Sequence, residues 1–317
     1  MTRHRQPPRS NADMTRLRVL LCALLLLPFG AQAEPFENSR FETLDGVRVH
    51  VRHWPAAGQA GGCPVLLVHG LGGSTFSFRQ LAPALAAAGH PVWAIDLPAY
   101  GYSARQPFPG TAGDALGPWL AARQPGSGWC LVGHSMGTRV VGELVRRSEV
   151  PVERAVYVAG NPILSERELN NRERYRSPRI RRWLANLAES RYLDEDRFGR
   201  LLAKAYGRDP TDEEVAGYLT PLKTPGTALA IMTGYSAEFP VNPRGAELDR
   251  VPTLILWGEK DAWVKPEVAD RLQAALPSAR RVTIAGAGHS PMETHPEQTR
   301  AAVLALFRDA PAMASAR

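Results

Sequence analysis

The sequence predicts an α/β fold: a mostly parallel sheet with helices on both faces and a helical insertion over its carboxyl edge. Three observations carry this. Short apolar runs of strand length alternate with segments of helical spacing, an order that implies parallel pairing. The alternation breaks between Asn161 and about Arg250, where the chain is polar and helical in pattern, with ten arginines between Arg167 and Arg200. It resumes at Thr253-Leu254-Ile255-Leu256-Trp257 and runs to a last helix. The core is therefore expected at 34–160 and 251–317, a helical cap insertion at 161–250, and a leader at 1–33.

In the leader, Arg16 and Arg18 precede an apolar run from Val19 to Leu27. Pro28-Phe29-Gly30 and the small-residue site Ala31-Gln32-Ala33 follow, the pattern of an export signal peptide. Met14 is an alternative start, and Cys22 lies inside the run rather than at its end, against a lipoprotein site. The run is too short to span a bilayer as a stable helix. A periplasmic or secreted protein is expected, without stable membrane insertion once the signal is removed; an uncleaved membrane anchor is the alternative. The formal charge of +7 includes +4 from the leader, leaving +3. That is too mild to argue for nucleic acid or an anionic membrane. Of the mature cysteines, Cys63 and Cys130, an oxidising compartment permits a disulfide; two buried free thiols are the simpler expectation.

Phe41 to Leu44, the turn Asp45-Gly46 and the alternating Val47 to Trp54 read as a hairpin, with His50 and His53 as solvated strand residues. Pro64 to Val68 is a buried strand ending in His69-Gly70-Leu71-Gly72-Gly73, and a helix follows to about Ala88. Pro91 to Ile95 is a strand ending at Asp96-Leu97-Pro98-Ala99-Tyr100-Gly101. A helix near Asp114 to Arg123 leads to the strand Trp129-Cys130-Leu131-Val132, and Ala155 to Val158 closes this half. After the insertion come the strand at Thr253, a helix opened by Pro266, the strand Arg281 to Ile284, and a helix from about Glu297 to Arg308 that His295 begins.

The chemistry centres on Gly133-His134-Ser135-Met136-Gly137, a serine between two glycines on a turn from strand to helix. Such a turn strains the backbone at the serine, and side chains at Gly133 and Gly137 would collide. A serine hydroxyl needs a base to take its proton and a carboxylate to orient that base. Gly286-Ala287-Gly288-His289 follows the last strand, and Gly258-Glu259-Lys260-Asp261 the strand before it. In a parallel sheet both loops leave at the same edge as Ser135. His289 and Asp261 are the expected partners of Ser135, with Glu259 as the alternative acid and Asp261 then a helix cap. Asp96 reads as a loop-fixing residue, and His69 and His134 as loop-bonding histidines.

These motifs, in this order, make the sequence resemble the α/β-hydrolase superfamily over nearly all of 40–308. The likeness is to the cap-bearing group of esterases, carbon–carbon bond hydrolases and cofactor-free perhydrolases. It implies an oxyanion hole from the backbone N–H groups of Met136 and Leu71, and a small-molecule acyl substrate. Some members carry an acid after the strand ending at Ala159; Asn161 stands there, which points to Asp261. Thr138 replaces a glycine frequent at its position. The serine argues against dehalogenase and epoxide hydrolase activities, whose relatives use an aspartate. The reaction implied is ester cleavage through an acyl-enzyme, falling off as pH drops through roughly 6.5, the unperturbed histidine value. Carbon–carbon cleavage, perhydrolysis and a non-catalytic binding role on the same scaffold stay open.

Gly70, Phe76, His134 and Trp263 are candidate pocket residues, and Phe78, Ile231, Met232, Tyr235 and Phe239 are further apolar candidates. The arginine-rich insertion reads as a solvated face, or as a rim steering anionic substrates. No histidine or cysteine spacing suggests a metal, and no glycine-rich loop suits a phosphate or dinucleotide, so no cofactor is expected. Oligomeric state is not legible.

Overall fold

A computed structural model describes residues 34–309 apart from 59, 60, 125, 148, 176 and 238–241. The leader expected at 1–33 lies outside the described residues. The chain divides into two compact units, Met1–Glu37 and Asn38–Arg317; all that follows concerns the second. The strands are β1 (Ser39–Leu44), β2 (Val47–Trp54), β3 (Val65–Val68), β4 (Val92–Ile95), β5 (Trp129–His134), β6 (Val152–Val158), β7 (Thr253–Gly258) and β8 (Arg280–Ile284). They form one sheet in the order β1-β2-β4-β3-β5-β6-β7-β8. The pairs β1–β2 and β2–β4 are antiparallel, and the rest are parallel. The β1–β2 turn is made by Asp45 and Gly46, both at positive φ (46° and 76°), the geometry that matches hairpin twist.

Helices α1 (Leu81–Ala87), α2 (Ala112–Arg123), α3 (Gly137–Arg146), α10 (Glu267–Ala275) and α12 (Pro296–Arg308) alternate with the strands. Between β6 and β7 run α4 (Glu166–Tyr175), α5 (Pro178–Tyr192), α6 (Glu195–Tyr206), α7 (Asp212–Leu222), α8 (Thr227–Ala237) and the short α9 (Gly245–Leu248), with no strand among the described residues. A short α11 (Pro291–Thr294) precedes α12. The helix expected after Ser74 is in fact a 3-10 turn (Thr75–Phe78) followed by α1.

Side chains that alternate along a strand fall on opposite faces. Leu66 and Val68 accordingly join one apolar core, and Val65 and Leu67 the other. Both faces are covered, which explains why the central strands read as continuous apolar runs. The order reverses at β3: β4 lies to one side of it and β5 to the other. Loops leaving β3 and β5 therefore diverge and open a crevice at the carboxyl edge, the place where open α/β sheets bind ligands.

Two expectations are corrected here. His50 is fully buried, with its Nδ1 2.7 Å from Asp96 Oδ2 and its Nε2 2.7 Å from Ser39 Oγ. His53 stacks on Trp93 at 4.4 Å between ring centroids. Strand alternation alone cannot show that His50 is covered by Asp96 and Ser103 after β4, or that His53, in the row of Val49 and Val51, meets Trp93. Cys63 and Cys130 are joined as a disulfide rather than free, with Cα atoms 5.9 Å apart. The register that pairs Val65 with Cys130 brings β3 and β5 together at that level.

Candidate active site

Ser135 sits at the end of β5 and the start of α3, at φ 50°, a left-handed conformation strained for serine. Its own N–H is held by the Val158 carbonyl at 2.8 Å, and its carbonyl accepts Thr138 Oγ1 at 2.6 Å. Thr138, where a glycine is frequent, thus helps to pin the turn. A Cβ on Gly133 would stand 2.6 Å from the Gly137 carbonyl oxygen, and one on Gly137 would strike the Val68 carbonyl. The two glycines are required by that close approach.

His289 follows β8, and Asp261 follows β7. His289 Nδ1 lies 2.8 Å from Asp261 Oδ2. A carboxylate oxygen only accepts, so Nδ1 carries a proton, and in the neutral ring the lone pair is on Nε2. Asp261 Oδ1 accepts the N–H groups of Trp263 (2.8 Å) and Val264 (2.9 Å), which fixes the carboxylate. Glu259, the alternative acid, is exposed and instead accepts the Gly286 N–H at 2.8 Å. Ser135 and His289 line the same cavity of about 290 Å³. No hydrogen bond joins their side chains, and Nε2 has no partner among the described residues.

The N–H groups of Met136 and Leu71 likewise meet no acceptor among the described residues. Met136 is the N-cap of α3, where the first amides of a helix have no intrahelical partner. Leu71 is 49% exposed, and its side chain is part of the wall beside Ser135. The surrounding histidines are framework. His69 donates from Nδ1 to the Gly70 carbonyl (2.8 Å) and accepts the Leu97 N–H on Nε2 (3.0 Å). His134 donates from Nε2 to the His289 carbonyl at 2.9 Å; burial drives its pKa down to about 3, helped by the nearby His289. Asp96 fixes loops, accepting Thr75 N–H at 2.6 Å, Tyr102 N–H at 2.9 Å and His50.

Of the candidate pocket residues, Gly70, His134 and Trp263 line the cavity with His289. Phe76 does not: it packs edge-on against Tyr218 at 5.4 Å, under the Arg79 guanidinium. Phe78, Ile231 and Met232 belong to the apolar cores. Phe239 and the Tyr235 side chain lie outside the described residues. The cavity wall comes instead from α6, through Phe198, Leu201, Leu202 and Ala205, with Tyr218 of α7. Their i, i+3, i+4, i+7 spacing was readable as an apolar face, but not which partner it faced. A second cavity of about 470 Å³ also reaches Ser135, lined by Met136, Arg139, Asn161, Leu164 and Arg271 among others.

The insertion also holds the histidine loop. The Ala205 carbonyl accepts the His289 N–H at 2.6 Å. Four residues on, the buried Glu293 accepts Tyr206 (2.7 Å) and Tyr218 (2.6 Å) hydroxyls and pairs with Arg79. Burial raises the pKa of Glu293, and raises both tyrosines beyond the range of ordinary titration.

Residues 64–296 match the model of the alpha/beta hydrolase fold. The chain belongs to that family. It is 29% identical over 250 residues to a pimeloyl-[acyl-carrier protein] methyl ester esterase of Neisseria meningitidis serogroup C, covering 77% of this chain and 92% of the relative. It is 27% identical over 271 residues to the uncharacterized hydrolase YugF of Bacillus subtilis, covering 80% and 92%. Among solved structures, a serine hydrolase involved in carbazole degradation (CarC) superposes with a TM-score of 0.66 at 21% identity, over 85% of this chain and 98% of that one. Among the described residues no helix is long and apolar enough to cross a membrane.

Proposed function

We propose that the protein is a serine hydrolase that cleaves a carboxylic ester through an acyl-enzyme. The observation that carries this is His289, held through Nδ1 by Asp261 and lining the same cavity as Ser135 at its strained turn. His289 takes the Ser135 proton as Oγ attacks the carbonyl carbon. The oxyanion lies against the Met136 and Leu71 amides, each such donor contributing roughly 3–4 kcal/mol in the transition state. The alcohol leaves with the proton from His289, and water then releases the acid. The Ser135–His289 hydrogen bond forms on substrate binding, as bonds of this kind tighten in the reactive complex. Two cavities meeting at Ser135 fit an ester with a substituent on either side of its carbonyl. The esterase among the relatives supports the same reading.

The test is labelling with an organophosphonate and turnover of p-nitrophenyl esters of increasing chain length. Wild type forms the adduct and turns over esters, while S135A does neither and keeps its melting temperature. An adduct retained in S135A refutes the assignment; labelling without ester turnover moves the chemistry to carbon–carbon cleavage or perhydrolysis. Export is part of the proposal: the leader pattern and the Cys63–Cys130 bridge both suit an oxidising compartment. N-terminal sequencing of exported protein should begin at Glu34.

A further inference from the structure

Helix α5 carries a surface that the proposed chemistry does not use. It packs against α8, and Ala185 is its one buried side chain. On another side, Ile180, Trp183 and Leu187 follow at i, i+3 and i+7 and form a single apolar row. Trp183 is 64% exposed and Ile180 40%. Arg191 continues the row at i+11, and Arg179, Arg182 and Arg191 are all exposed. Past the end of the row, Arg191, Ser190 and Tyr192 join Arg197 and Arg200 of α6 around an open groove of about 630 Å³ with no carboxylate in its lining. Helix α6 thus turns one side to this groove and another to the cavity holding Ser135.

We infer that α5 and the arginine groove dock the protein on an anionic lipid surface. The row of Ile180, Trp183 and Leu187 enters the headgroup boundary, where tryptophan is favoured. Arg191, Arg197 and Arg200 meet lipid phosphates, whose oxygens the planar guanidinium fork bonds bidentately. The net charge of the chain beyond its leader, +3, is no guide here, because the charge is local: α5 alone has four arginines against Glu189, and the exposed Asp194, Glu195 and Asp196 at the start of α6 do not line the groove. A second copy of the chain is a poorer occupant. A stable interface buries about 800 Å² per partner, more than one row of three side chains supplies.

Cosedimentation of the full chain with vesicles of phosphatidylcholine, alone or with roughly a third phosphatidylglycerol, tests this. Binding is expected to the anionic vesicles and to fade at high salt. I180S/W183S should weaken it at least about tenfold, and R191S, R197S and R200S by about fivefold each, the effect of one basic residue near such a surface. All variants share one N-terminus, so their difference from wild type isolates α5 from any leader contribution. Turnover of a soluble short ester should stay at the wild-type rate. The proposal fails if wild type ignores the anionic vesicles, or if the variants bind as wild type does. It also fails if the row instead mediates a dimer in size-exclusion chromatography or holds an acidic protein with no affinity for vesicles.

Discussion

Replacing Asp261 by Asn tests the proposed base at the level of one proton. Asp261 Oδ1 accepts two amides, from Trp263 and Val264, so the amide oxygen of an asparagine is fixed on that side. Its NH₂ must then occupy the place of Oδ2, 2.8 Å from His289 Nδ1. Two donors cannot face each other, so the imidazole gives up its Nδ1 proton and carries one on Nε2 instead. That tautomer cannot accept the Ser135 proton. The volume is unchanged and every backbone bond survives, so the fold should hold while kcat falls by about 10⁴, the cost of the wrong tautomer in such triads. The assay is kcat and KM on a short p-nitrophenyl ester, with the melting temperature as control. E259Q provides the contrast, since Glu259 faces solvent and, among the described residues, its side chain bonds only the Gly286 amide, and it should stay within a few-fold of wild type. D261N activity within tenfold of wild type, or a large loss in E259Q, would refute the reasoning.

Three further outcomes are expected. The pKa of His134 is depressed from 6.5 to about 3 by burial, so between these values the unfolded chain binds a proton that the folded one refuses. Stability should fall as pH drops below 6.5, by about 2 kcal/mol between pH 7 and pH 5 from this group, and denaturant titrations of H134Q should show a flatter pH dependence. Removing the Cys63–Cys130 bridge, which closes a loop of 67 residues, should cost roughly 4 kcal/mol on the chain-entropy model, read as a lower urea midpoint for C63S/C130S. E293Q puts an amide N–H against one of three donors in a buried site, and should cost about 3 kcal/mol and raise the hydrogen exchange of the His289 loop.

The sequence by itself determined the strands, the mostly parallel sheet and the residues proposed for the chemistry. Strand length, apolar runs and turn residues are local signals, and they placed all eight strands to within a few residues. The turn around Ser135 was legible because Gly133 answers a clash with Gly137 inside five residues of chain, although Gly137 itself answers the remote Val68 carbonyl. The order of the loops after β7 and β8 followed from parallel pairing alone. Tertiary structure decided everything that depends on what lies across a gap. The burial of His50, the bridge between Cys63 and Cys130, and the pairing of His289 with Asp261, which the sequence had only led one to expect, each rest on a partner remote in sequence. The pocket wall is the plainest instance. Phe76 and the residues of α6 are equally apolar in the sequence, yet only α6 faces Ser135, because the path of the insertion over the sheet edge sets which apolar face meets the cavity.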